Sequence, residues 1–186
     1  MKRVFIVLTC LALFSEACHA QFRVGTGYAF ESVRTRWTSS QELSKLNQNG
    51  VFIEGLYSTR ESENISMTYG LRVSYLQSTR NLFKDYNLSV PFHLDYQKPS
   101  GEITLLASVG PTVNYTLSHL RYGKKIESYW KDNRRFDVRM GASAGASWKR
   151  FEGRLYYDIG LIDRCKNSSY DKIHTNQFRI GIAYNL

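Results

Sequence analysis

Three histidines, His93, His119 and His174, are the residues of this sequence best suited to acid–base chemistry. A deacylase would need a His-x-Ser pair on a strand, because that spacing puts the base and the nucleophile on one face. The residues two positions after the three histidines are Asp95, Arg121 and Asn176. None of them is a serine, so the sequence predicts no enzyme of this kind.

His93 and Asp95 could still act as a catalytic dyad, since residues two apart on a strand share a face. A structural hydrogen-bonded pair explains the same spacing more simply. A metal site is not indicated, because these histidines are scattered and Cys165 is the only cysteine after the first twenty residues. We therefore predict no catalytic residue, no metal and no cofactor.

Residues 1–20 have the features of a secretory signal peptide. Two basic residues are followed by an apolar run too short to span a bilayer, and small residues end the segment. We predict cleavage after Ala20, with Ala17 as the alternative, and Cys18 also fits a weak lipoprotein site. The exported part is then a single domain, residues 21–186.

The composition bounds the class of protein. The chain has 186 residues, enough for one domain, with 14% aromatic residues that include 13 tyrosines. A disordered chain would be poor in aromatic residues. A helical membrane protein would need apolar runs of about 20 residues, and the mean hydropathy of −0.38 argues against one.

Apolar and polar residues alternate with a period of two through almost the whole exported sequence, which is typical of β-strands. Short and long connections alternate between the strands. This plan is typical of an eight-stranded antiparallel up-and-down transmembrane β-barrel, with short periplasmic turns, longer extracellular loops and both termini in the periplasm. The predicted strands are Phe22–Thr35, Val51–Ser58, Ile65–Ser78, Tyr86–Tyr96, Glu102–Asn114, Phe136–Trp148, Arg154–Ile162 and Gln177–Leu186.

The two faces of the predicted strands differ in character. One face carries the large apolar residues, with Tyr and Trp near the strand ends, and the other carries small residues and nearly all the charges. A membrane barrel points its apolar face at lipid, whereas a soluble barrel buries it. We predict the membrane arrangement, because Arg and carboxylates can pair inside a barrel, whereas unpaired buried charges cost several kcal/mol.

The inward-facing charges are predicted to form a paired network. Arg34 is the one strand charge assigned to the outward face, beside the first long loop. In the second strand, the large apolar residues Phe52 and Leu56 share the inward face with Glu54. Two explanations remain open: the two faces of this strand are assigned the wrong way round, or a bulge interrupts the strand. The network candidates are Glu54, Arg72, Asp95, Asp137, Arg139, Arg154, Asp158 and Arg179, and the other inward charges are Arg23, Glu31 and Glu102.

The end of the chain resembles the signal by which outer-membrane barrels are recognised for insertion, which implies the barrel-assembly machinery as a partner. Its alternating residues are Phe178, Ile180, Ile182, Tyr184 and Leu186, with Leu186 in place of the usual final aromatic residue.

Four short segments, spread over the whole exported sequence, carry a family resemblance. Together they resemble the outer membrane protein β-barrel domain family, the small porin-like proteins common in Bacteroidetes-type bacteria. The resemblance implies an eight-stranded outer-membrane barrel but no single activity, because a fold does not determine a function. The segments are Phe22-Arg-Val-Gly-Thr-Gly, Val90-Pro-Phe-His-Leu, Val109-Gly-Pro-Thr-Val and Tyr157-Asp-Ile-Gly-Leu.

The basicity of the chain, a net charge of +9, falls mostly in the predicted long loops. That surface would meet the phosphates of lipopolysaccharide, which suit Lys and Arg, whereas nucleic acid is a poor partner outside the cell. The third long loop is the most basic. Its candidate lipopolysaccharide-binding residues are Arg121, Lys124, Lys125, Lys131, Arg134 and Arg135.

We therefore predict a non-enzymatic outer-membrane barrel whose basic loops serve envelope structure or bind lipopolysaccharide or a protein ligand. One alternative is an accessory subunit of a larger outer-membrane barrel or surface complex. Two others, a narrow pore and a lipid A-modifying enzyme, fit less well, because eight strands enclose a side-chain-filled interior and the deacylase motif is missing.

Overall fold

The computed structural model describes residues 21–37, 43–60, 62–78, 83–121, 124–125, 133–165 and 170–186. The proposed signal peptide and its cleavage site lie outside these ranges. Within the described part of the chain, no helix is long and apolar enough to cross a lipid bilayer.

Eight strands form the barrel, and we number them in chain order. The two-residue strand Lys124–Lys125 pairs with the end of the fifth strand and is not numbered. The barrel strands are β1 (Gln21–Trp37), β2 (Leu43–Arg60), β3 (Ile65–Ser78), β4 (Phe83–Ser100), β5 (Ile103–Arg121), β6 (Phe136–Trp148), β7 (Phe151–Gly160) and β8 (Tyr170–Asn185).

Each strand pairs in antiparallel fashion with the next, and β8 pairs with β1, so that the sheet closes on itself. Closure gives every strand two neighbours and removes the exposed edges at which other chains could pair. The sequence prediction of an eight-stranded antiparallel up-and-down barrel is confirmed.

Two strands, Ile65–Ser78 and Phe136–Trp148, have the predicted bounds. The other bounds were wrong by up to eight residues, and most of these strands run further than predicted. The apolar alternation stops where the wall leaves the predicted lipid band, but backbone pairing continues through polar residues. Predicted loop segments are therefore partly strand; β2, for example, begins at Leu43 rather than Val51, and β5 continues to Arg121 rather than Asn114.

The connections at one end of the barrel are tight. The turn between β4 and β5 contains Gly101 at a φ of +65°, and the turn between β6 and β7 contains Lys149 at a φ of 55°. Both chain ends of the described domain lie at this end, where the N–H of Leu186 donates to the carbonyl of Phe22 at 2.9 Å.

The barrel wall has its apolar side outward. In β2, Val51 and Ile53 are 55% and 63% exposed, whereas Phe52 and Leu56 are buried inside with Glu54. The pairing of β2 with β3 runs without a register shift from Gln48–Ser78 to Arg60–Ser66. The inward phase assigned to the second strand is therefore correct, and a bulge is not needed to explain it.

Candidate functional site

The middle of the barrel holds two buried Arg–carboxylate pairs around two rings. Glu54 and Arg72 face each other in the register of β2 and β3, and Arg72 Nη2 lies 2.7 Å from Glu54 Oε2. Arg179 Nη2 lies 2.5 Å from Asp158 Oδ2. Both guanidinium groups also lie over the rings of Phe52 and Tyr156, at 4.7–5.8 Å from the ring centres. Aromatic faces attract such cations, most strongly where water is excluded.

Nearer the tight-turn end, a second cluster shares its carboxylates between two arginines. Arg154 Nη1 lies 2.7 Å from Asp95 Oδ1, and Arg154 Nε lies 2.5 Å from Glu152 Oε1. Arg23 contacts the same two acids, at 2.9 Å from Glu152 and 3.7 Å from Asp95. Thr68 donates a hydrogen bond to Asp95 from the neighbouring strand.

Towards the opposite end, Arg139 joins two acids. Its Nη1 lies 2.9 Å from Glu31 Oε2 and its Nε lies 2.8 Å from Asp137 Oδ2. Thr175 and Gln177 of β8 donate to the same carboxylate oxygens, at 2.6 and 3.0 Å. The structure therefore brings all eight predicted network residues into the interior, in three separate groups.

The predicted inward set needs two corrections. Glu102 is exposed in the turn between β4 and β5, because that turn takes up two residues, Gly101 and Glu102. Glu152 and Arg164, assigned to connections by the sequence, are buried inside instead. The two-residue turn before β7 puts Glu152 on the strand, two positions before Arg154, and this spacing is the signal that the sequence analysis missed. Arg34 is exposed, in agreement with its predicted outward direction.

The hypothesis of a His93–Asp95 dyad finds no support in the geometry. Nε2 of His93 lies 3.3 Å from the hydroxyl of Thr112, whereas the Asp95 oxygens bind Arg154, Arg23 and Thr68. Both carboxylate oxygens of Asp95 are thus engaged by other residues, which suits a structural role. In the described ranges, no group of three His, Cys, Asp or Glu could hold a metal ion.

A polar group also lies at the end of the barrel opposite the termini. His119 Nδ1 contacts Asp85 Oδ1, and Gln48 Nε2 donates to Asp85 Oδ2 at 2.7 Å. The ring of Phe83 stacks on His119 with 5.2 Å between centroids. These contacts tie β2, β4 and β5 together above the lipid-facing band. The sequence analysis assigned both His119 and Asp85 to long loops, whereas the structure has them on β5 and β4.

The base of the third long loop is anchored to the barrel rim. The N–H of Arg134 donates to the carbonyl of Arg164 at 2.7 Å, and the carbonyl of Arg135 accepts from Thr116 at 2.8 Å. Arg134 is exposed and Arg135 half-buried, while Arg164 turns its guanidinium into the barrel towards Thr116. Cys165 is buried beside this base, in a backbone bridge with Asn133.

The remaining third-loop candidates are only partly described. Arg121, Lys124 and Lys125 lie on strand segments, and Lys131 lies outside the described residues. Lipopolysaccharide binding by this loop stays a prediction.

The predicted insertion signal covers the last part of β8, at the tight-turn end, and the residue after it, Leu186. Phe178, Ile180 and Ile182 point outward and are exposed, and the ring of Tyr184 contacts that of Phe151 with 5.4 Å between centroids. Recognition of this segment by the assembly machinery likewise stays a prediction.

Comparison with known proteins bears on the fold. No model of a known protein family matches the sequence, and no curated protein matches it either. Neisserial surface protein A is similar in structure, with a TM-score of 0.52, 12% identity, and coverage of 89% of this chain and 97% of that one.

Two further structures are less similar. Ail of Yersinia pestis has a TM-score of 0.43 and 15% identity, covering 90% of this chain and 99% of that one. The N-terminal β-barrel domain of Pseudomonas aeruginosa OprF has a TM-score of 0.41 and 10% identity, covering 86% and 97%. At these identities the likeness concerns the fold. Fold and outward apolar face together define this protein as a small, eight-stranded transmembrane β-barrel of the outer-membrane type.

Proposed function

We propose that this protein is a non-enzymatic integral protein of a bacterial outer membrane that presents basic loops outside the cell, for envelope structure or surface interaction. Both termini lie in the periplasm in this proposal. The observation that carries this proposal is the arrangement of the two faces of the barrel wall, which is the reverse of that in a soluble barrel. Apolar residues are exposed on the outside, and Arg–carboxylate pairs are buried inside. Such a wall is suited to contact with lipid, so the residues available to bind a ligand lie at the two ends of the barrel.

The interior supports an anchoring role rather than conduction or catalysis. Arg72, Arg139 and Arg179 are each at most 2% exposed, and each contacts a carboxylate inside the barrel. The carboxylates of Arg72 and Arg179 lie on adjacent strands, whereas Arg139 of β6 reaches Glu31 of β1. Side chains at successive levels thus occupy the space through which a solute would pass, as expected for eight strands. The charged groups are engaged with one another, which leaves them poorly placed to serve a substrate.

The ligand that we propose for the third loop is the phosphate-bearing part of lipopolysaccharide. Exposed Arg134 lies on a base that is hydrogen-bonded to the barrel rim, and Arg135 follows it. A cation held close to the membrane surface contributes about 1 kcal/mol to the attraction of anionic lipid. Several such residues on one loop would therefore favour lipopolysaccharide over a neutral lipid.

The test is to extract the protein from outer membranes in mild detergent and measure the lipopolysaccharide that copurifies. Reversing four charges, in the variant Lys124→Glu/Lys125→Glu/Arg134→Glu/Arg135→Glu, should reduce the amount severalfold. Reversal at the tight-turn end, in Lys98→Glu/Arg150→Glu, is the control and should leave it unchanged. Equal copurification with all three proteins would contradict binding by the third loop.

The same preparation distinguishes the alternative function. A larger barrel or a surface lipoprotein in stoichiometric amount would make this protein an accessory subunit and would overturn the proposal of an independent anchor.

Kinship with the small porin-like proteins of Bacteroidetes-type bacteria is part of this proposal, and rests on the four sequence segments that resemble that family.

A further inference from the structure

Three basic residues lie side by side on the outer face of three adjoining strands. Arg34 of β1 pairs in register with Lys45 of β2 on one side and with His174 of β8 on the other. Arg34 and Lys45 are exposed, and His174 is half-buried. Adjacent strands are about 4.8 Å apart, so the three residues span roughly 10 Å. We call them the basic row.

The basic row lies just beyond the apolar band. On the same outward face, Phe30 of β1 is 50% exposed and its neighbour Phe178 of β8 is 41% exposed. The four residue steps from Phe30 to Arg34 cover about 13 Å along the strand, or roughly 10 Å along the axis of a barrel with strands tilted by about 40°. A level about 10 Å beyond the last apolar residues lies outside the hydrocarbon layer, at the height of the polar headgroups.

The row is electrostatically unfavourable by itself. Like charges directly opposite each other on adjacent strands destabilise a sheet, and Arg34 and Lys45 are such a pair. In the described ranges, no carboxylate forms an ion pair with Arg34 or Lys45. Asp163 contacts β8 at Ile173, the residue before His174. Its Oδ1 accepts hydrogen bonds from the backbone N–H groups of Cys165 and Ile173. An anion from outside the chain would relieve this repulsion.

We propose that the basic row binds a phosphate group of lipopolysaccharide in the outer leaflet. Arg34 offers the planar fork of donors that suits phosphate oxygens, Lys45 adds a point charge, and His174 can donate an N–H. The position directly above exposed aromatic residues favours the phosphate of a lipid over a soluble anion. The inference rests on the proposed outer-membrane location but not on the third loop, because none of the three residues of the basic row belongs to that loop.

The experiment uses the exported barrel in vesicles of phosphatidylcholine with increasing amounts of lipopolysaccharide. The measured quantity is the lipopolysaccharide that stays bound to each barrel after purification. Replacing two cations, in Arg34→Gln/Lys45→Gln, should weaken binding roughly 10- to 30-fold. The matched control Lys98→Gln/Arg150→Gln removes the same charge at the tight-turn end and should bind as the unaltered protein does.

The replaced residues are exposed, so each variant should still form the barrel. Its folding is checked by the shift in gel mobility on heating. Binding by Arg34→Gln/Lys45→Gln within twofold of the unaltered protein would overturn the inference. Displacement of lipopolysaccharide by millimolar inorganic phosphate would also overturn it, since the row would then be a general anion site.

The fourfold third-loop variant, assayed in the same vesicles, separates this inference from the proposed function. A loss of binding with the third-loop variant alone would refute the basic row and leave the proposed loop function standing. A loss with the row variant alone would support the row and refute the loop. If the unaltered barrel does not prefer lipopolysaccharide over phosphatidylcholine, both proposed binding sites are refuted.

Discussion

Arg179 carries a charge in the middle of a membrane-spanning barrel and is fully buried. An unpaired charge there would cost several kcal/mol, but Asp158 lies 2.5 Å away and the ring of Tyr156 lies 4.7 Å from the guanidinium carbon. Arg72 and Glu54 repeat the arrangement beside the same rings, with the Arg72 guanidinium carbon 5.7 Å from the Tyr156 ring. The stability of each buried charge in the barrel interior therefore depends on the presence of its oppositely charged partner.

The residue-scale prediction concerns the pair Glu54–Arg72. Arg72→Met leaves the Glu54 carboxylate buried without its partner and should reduce the free energy of unfolding by about 3–5 kcal/mol. Adding Glu54→Gln should restore most of that loss, since no uncompensated charge remains. The measurement is urea unfolding in lipid vesicles. Glu102→Gln, in the exposed turn, is the control and should change stability by less than about 0.5 kcal/mol; equal losses for Arg72→Met and this control would contradict the idea.

At the scale of elements, the approach of β1 to β8 explains why Phe52 can lie inside the barrel. Gly27 and Gly181 are paired in register across these strands. A Cβ on Gly27 would lie 2.1 Å from the carbonyl oxygen of Ile180, and a Cβ on Gly181 would lie 2.9 Å from the ring of Phe52. The two glycines leave the space that the ring fills, so the large inward residue of β2 follows from its neighbours.

The element-scale prediction is therefore a contrast between two glycines. Gly27→Ala should destabilise the barrel by about 1–3 kcal/mol, because the clash is with backbone and cannot be relieved by a flexible side chain. Gly153→Ala should have little effect, since a Cβ there meets nothing within 4 Å. Unfolding in urea, with both variants in the same vesicles, measures the difference. A neutral Gly27→Ala would mean that β1 and β8 separate more easily than their geometry indicates.

At the scale of the whole molecule, an even number of strands returns the chain to the end at which it began. The tight turns after β4 and β6 lie at that end, together with the contact between Leu186 and Phe22. The strands β1, β2, β5 and β8 continue beyond the apolar band at the other end. This asymmetry is the basis for the proposed orientation, with tight turns in the periplasm.

The prediction at this scale tests the orientation in intact cells. In a Cys165→Ser background, Lys45→Cys should react with a membrane-impermeant maleimide added to cells. Lys98→Cys, near the turn between β4 and β5, should react only after the outer membrane has been permeabilised. The reverse pattern of labelling would invert the proposed topology, and labelling of both positions in intact cells would argue against a membrane-spanning barrel.

The sequence by itself determined the fold class and the direction of most side chains. A period of two is a local property of a strand, so the opposite characters of its two faces can be recognised without knowing any neighbour. The outward Leu71 and Val73 and the inward Arg72 of β3 follow from that pattern, as does Arg34 as the outward exception.

Only the tertiary structure decided which residues meet. Strand register and barrel closure join residues far apart in the chain, such as Arg139 with Glu31 and Arg34 with His174, and no local pattern encodes these distances. The lengths of the turns also decided that Glu152 lies inside and Glu102 outside, since one residue more or less in a turn shifts the strand that follows. The buried pairs and the basic row are both products of register, which depends on the closed sheet as a whole.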